Sequence, residues 1–131
     1  MRFAQRDYFG RKVNRESLKN IIMDFFTEEG FRVKWFSHPD GFVIQAHKGG
    51  VFRPILGKDG AFTLSVEGDE INYKVRIGIA KWMETQNPKK IENILHHPST
   101  EYFEIPESLW TYEMEHHLWH YLETQIDLGT L

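Results

Sequence analysis

AFTLSVEGDEINYKVRI, residues 61–77, alternates apolar and polar side chains on both sides of a glycine–aspartate pair. Phe62, Leu64 and Val66 fall on one face, with Thr63 and Ser65 between them. Ile71, Tyr73, Val75 and Ile77 repeat the pattern, interrupted by Asn72, Lys74 and Arg76. A period of two is the mark of a half-buried strand, because successive side chains point to opposite faces. Gly68-Asp69 reads as a two-residue turn. Pairing across it sets Val66 against Ile71, Leu64 against Tyr73 and Phe62 against Val75.

The same pattern extends upstream. Phe31, Val33 and Trp35 alternate with Arg32 and Lys34, and His38-Pro39-Asp40-Gly41 follows as a loop at 38–41. Proline fixes φ there and glycine accepts unusual backbone angles. The resulting hairpin pairs Trp35 with Ile44, Val33 with Ala46, Lys34 with Gln45 and Arg32 with His47, so each face matches in character. Before it, Leu18, Ile21, Ile22, Phe25 and Phe26 form a helical stripe. Asn14 is a suitable N-cap and Gly30 a suitable terminator, which predicts a helix over 15–29. Residues 1–13 have no clear period and read as an irregular segment. Residues 51–57 read as a short strand weakened by Pro54. Pro88 opens a short helix near 89–96. A long final helix is expected from Pro106 to about residue 127, with Trp110, Met114, Leu118, Tyr121, Leu122 and Ile126 on its apolar side.

These elements predict one α+β domain over residues 1–131. It has two layers: an N-terminal helix, an antiparallel meander of four to five strands, and a long C-terminal helix packed on one sheet face. Hydrophobic residues at 40%, including ten Phe, five Tyr and four Trp, supply a core. The absence of Cys excludes disulfides, thiolate metal sites and cysteine nucleophiles. No apolar run reaches the roughly 20 residues of a membrane span. A soluble, cytoplasmic protein without membrane association is the expectation.

Charge is segregated along the chain. Residues 1–20 carry six Lys/Arg against two acids, whereas residues 84–131 carry two lysines against nine acids. Arg32, Lys34, His47, Lys74 and Arg76 all fall on the outward sheet face, a basic surface suited to an anion or an acidic partner. The acidic C-terminal third could equally cover it. Phe36 is the only aromatic on that face, which disfavours nucleic acid, since single strands are read by stacking. Gly49-Gly50, beside His47, Lys48 and Arg53, is a weak anion-cradling loop.

The last helix carries Glu113, His116, His117 and His120 within about 100° of one another on the helical wheel. His116 and His120 are spaced i, i+4, which lets two imidazoles reach one metal ion, with Glu113 a turn earlier as an oxygen donor. No third ligand segment is evident, although His96-His97 could approach. Phosphate-loop, dinucleotide and nucleophile-elbow motifs are missing, so no cofactor is expected and an enzyme is disfavoured. Tyr112 and Trp119, at the edge of the core stripe, fit interface anchors. The leading expectation is a non-enzymatic protein–protein interaction module that self-associates. The alternatives are a carrier of a small apolar or anionic ligand between sheet and C-terminal helix, or an anion- or nucleic-acid-binding module on the basic face.

Overall fold

A computed structural model describes residues 4–48, 60–98 and 112–129, with side chains in the last helix described from residue 116. The elements run β1 (Ala4–Phe9), α1 (Arg15–Glu28), β2 (Arg32–His38), β3 (Gly41–His47), β4 (Gly60–Gly68), β5 (Asn72–Lys81), α2 (Pro88–His96) and α3 (Tyr112–Asp127). The expected strand at 51–57, the Gly49-Gly50 loop with Arg53, and the start of the last helix at 106–111 lie outside the described residues. The five strands form one antiparallel sheet in the order β1-β5-β4-β3-β2.

The α+β class and the antiparallel sheet agree with the sequence reading, but three details differ. First, residues 4–9, expected to be irregular, form a strand ahead of the helix. β1 pairs with β5 from Ala4↔Ile77 to Phe9↔Asn72. Its alternation is hidden because Arg6 and Asp7 are exposed on an edge strand, where charge is tolerated. Second, the β4–β5 register is shifted. Val66 faces Val75 and Leu64 faces Ile77, with Gly68 opposite Tyr73. The turn is longer because Asp69 caps it. Its carboxylate accepts from Asn72 N at 2.7 Å and Ile71 N at 2.8 Å. These bonds, from Asn72 first and Ile71 second, hold the Asp69 carboxyl below the usual carboxylate range. Ile71, expected to point inward, is left 49% exposed. The shift is an even number of residues, so the strand faces are preserved.

Third, helices cover both sheet faces. On the first face, α1 contributes Leu18, Ile22, Phe25 and Phe26, and α3 contributes Leu118, Trp119, Leu122 and Ile126. They pack on Phe42, Ile44, Phe62, Leu64, Val75 and Ile77. Rings meet edge to face, Phe26 with Phe31 at 5.7 Å and Phe31 with Phe62 at 5.6 Å. Asn14 caps α1 by accepting from Ser17 N, as expected, a bond worth about 1 kcal/mol. The 32–47 hairpin keeps the predicted register throughout.

On the second face, α2 packs Ile91, Ile94 and Leu95 against Phe36, Val43 and Met83. Gln45, fully buried, secures the chain leaving β5. Its amide donates to Thr63 Oγ1 and Lys81 O, and its carbonyl accepts from Met83 N. Every buried polar atom of that side chain is satisfied, which offsets its desolvation. Asn87 then caps α2 by accepting from Lys90 N. α2 therefore covers part of the basic outward face, leaving Arg32 exposed. Arg76 is 8% exposed and donates to Leu95 O, Gln5 Oε1 and Glu67 Oε2. The helix supplies the Leu95 carbonyl to Arg76, and the neighbouring strands β1 and β4 supply Gln5 and Glu67.

Candidate metal centre

The last turns of α2 lie over the β2–β3 turn. Two residues form the turn tip, Pro39 and Asp40, since His38 pairs directly with Gly41. A Cβ at Gly41 would stand 1.8 Å from Val66 O, so only glycine allows β3 to start this close to β4. The strand alternation that aims Phe36 at α2 also aims His38 there. On α2, the i, i+4 spacing puts Glu92 and His96 on one side. From β4, Glu67 reaches the same place.

These side chains form one connected group. His38 Nε2 lies 2.5 Å from Glu92 Oε2, and His96 Nε2 lies 3.0 Å from Asp40 Oδ2. His96 Nε2 is also 3.8 Å from Glu92 Oε1, and its Nδ1 is 3.9 Å from Glu67 Oε1. The two imidazoles sit 5.7 Å apart. The Asp40 N–H donates to His38 Nδ1 at 3.0 Å. Arg76 binds both Glu67 Oε2 and the Leu95 carbonyl, and so fixes one carboxylate and the end of α2 together. Three carboxylates, Asp40, Glu67 and Glu92, meet here, with Arg76 paired to Glu67.

His38, Asp40 and His96 each offer one ligand atom, all within 4.8 Å of one another. A tetrahedral ion with bonds of about 2.0–2.2 Å spaces its ligand atoms about 3.3–3.6 Å apart. The His96–Asp40 and His96–Glu92 separations bracket that range. Two imidazoles with carboxylate oxygens suit zinc and its neighbours better than calcium or magnesium, which take oxygen donors. The His38 side chain is 16% exposed and that of His96 29%, so the group is partly shielded yet reachable from water.

Of the residues singled out from the sequence, Arg76 braces this group, Lys74 pairs across from Glu67 and His96 belongs to it, while the others lie elsewhere. Lys34 donates to Glu84 O and stands over the Trp82 ring. His47 Nδ1 bonds Gly60 O, and Arg32 is exposed on the edge strand β2. His116 and His120 stack with ring centroids 6.3 Å apart. Among the described residues they gather no third ligand within reach of one ion. The side chains of Glu113 and Tyr112 lie outside the described residues. Trp119 is 4% exposed, packed in the chain's own core under Arg6, whose guanidinium stands 5.1 Å above the ring. Its surface is therefore taken up inside the chain, because the side chain lies on the buried flank of α3. His117 and His120 line a groove of about 280 Å³ between α1 and α3, with Phe25, Glu28, Tyr121 and Gln125.

Sequence reading missed the His38–Asp40–His96 group because its members come from distant segments. The signals present were weak ones: a histidine two residues before the aspartate of a tight turn, and Glu92 one turn before His96. Comparison with family models, curated proteins and solved structures finds no match for this chain. Its functional reading therefore rests on these residues.

Proposed function

We propose that the chain is a non-enzymatic binding module that holds one divalent ion of the zinc type between the β2–β3 turn and α2. The observation that carries this reading is the convergence of His38, Asp40 and His96 ligand atoms within 4.8 Å. Glu92 stands beside them, its Oε1 3.8 Å from His96 Nε2. The ion links α2 to a turn of the sheet. Equilibrium dialysis against Zn²⁺ tests the reading. One ion per chain is expected, with affinity reduced more than about tenfold in His96→Ala and Asp40→Ala. Absence of uptake by the intact chain would end it.

Self-association is the second reading, favoured by one group of exposed apolar side chains. Phe9, Ile71 and Leu128 are 74%, 49% and 65% exposed. The Phe9↔Asn72 pairing and the Arg11–Asp127 ion pair draw them to one end of the sheet. Exposed apolar side chains gathered at one end of a fold are candidates for a contact site. Sedimentation of the intact chain beside a Phe9→Ser, Ile71→Ser variant tests it, with a smaller species expected for the variant.

A further inference from the structure

Both nitrogens of His38 are already committed. The Asp40 N–H donates to Nδ1, so Nδ1 presents a lone pair. A neutral imidazole then carries its proton on Nε2, where it is donated to Glu92 Oε2 at 2.5 Å. A histidine that binds an ion through Nε2 carries its proton on Nδ1 instead. That proton would point at the hydrogen of Asp40 N–H, head to head. Binding through Nδ1 would displace the Asp40 N–H directly. A half-turn of the ring would move Nδ1 away from it. Every route by which His38 ligates an ion therefore breaks the same hydrogen bond.

We infer that loading the site with a divalent ion releases the Asp40 amide from His38 Nδ1 and switches the β2–β3 turn between two hydrogen-bonded states. This rests on the metal-binding reading above and adds its consequence for the protein. No proton is gained or lost by the ring in the Nε2 route. One leaves Nε2, one arrives on Nδ1, and the ion takes the Nε2 lone pair. Glu92 loses its imidazole partner and is freed toward the ion, with its Oε1 already near His96 Nε2.

The structure also says where the change is confined. Gly41 cannot retreat or turn freely, because it is pressed against Val66 O, and Gly68 N–H donates to Asp40 O at 2.8 Å. The Pro39–Asp40 peptide is the unit left to rotate. Its carbonyl accepts from Arg15 Nη1 at 3.4 Å, and Arg15 Nη2 also donates to Gly68 O at 3.0 Å. Rotation of that peptide carries the state of the ion to the start of α1, on the other side of the sheet edge.

The test is nuclear magnetic resonance on the ¹⁵N-labelled full chain titrated with Zn²⁺ alone, with uptake measured in parallel by calorimetry. The expected result is a conversion of the His38 imidazole pattern from Nε2–H to a metal-bound ring, together with loss of exchange protection at the Asp40 amide. Ligation by the Asp40 carboxylate alone would shift the Asp40 resonance but would leave the His38 tautomer and the amide protection unchanged. Zinc taken up one-to-one, with the Nε2–H pattern and the Asp40 protection both retained, overturns the inference while the metal-binding reading stands. No zinc uptake overturns the reading and the inference with it.

Discussion

The molecule carries two groups of histidines, and they differ in what surrounds them. His116, His117 and His120 follow one another on a single helix, a spacing that places rings side by side. Two of those rings stack, and two line a groove with Glu28. His38 and His96 come from a strand end and a different helix, yet Asp40, Glu67 and Glu92 converge on them from three elements. Helical spacing delivers proximity. A ligand set also needs donors aimed at one point from several directions, and only tertiary structure supplies that.

The sharpest way to separate the two regions is to ask what each contributes to stability and to binding. In α3 the buried flank dominates. Trp119→Ala should cost about 3–5 kcal/mol in urea unfolding, the usual range for emptying a large core position. A paired His116→Ala, His120→Ala change should stay within about 0.5 kcal/mol, as exposed substitutions do. A large loss from the histidine pair would break the comparison, because that face would then be structural.

Arg76→Leu tests the frame of the α2 site. It removes the donor to Leu95 O and the partner of Glu67, at a cost of about 2 kcal/mol, in line with hydrogen bonds to charged groups. Zinc affinity should fall as well, since the end of α2 loses its anchor. Stability lost with zinc affinity intact would show that Arg76 braces the core alone.

A smaller effect appears on the alkaline side and concerns the first face. Burial pushes the Tyr73 phenol up to about 12, where it donates to Arg11 O. Tyr8 is raised as well, by burial first and by the Glu123 carboxylate next. A folded value above the ordinary 10.0 means that the neutral phenol contributes stability fully below pH 10. That contribution is lost as pH rises toward the folded value. The urea midpoint should therefore drop between pH 10 and 12, and Tyr73→Phe should flatten the drop. An unchanged slope in Tyr73→Phe would remove Tyr73 as its source.

Much of the fold was readable where local and cross-strand signals agreed. Asn14 and Gly30 bound α1, and matched faces set the 32–47 hairpin. The second hairpin slipped because the Asp69 side chain lengthens its turn, a bond that alternation does not encode. Edge charges hide β1, and the pattern at 88–96 marks a helix without any sign of the face it covers. That last gap also concealed the candidate site. His38 reads as part of a turn and His96 as one of a pair, and neither points to the other until α2 lies across the sheet.

The central claim is the identity of the ligands, and the X-ray absorption spectrum of the zinc-loaded full chain addresses it most directly. The expected spectrum shows two imidazoles and carboxylate oxygens at about 2.0–2.2 Å, lost in His96→Ala and retained in His116→Ala, His120→Ala. A spectrum that survives His96→Ala and disappears with the α3 pair would contradict the account.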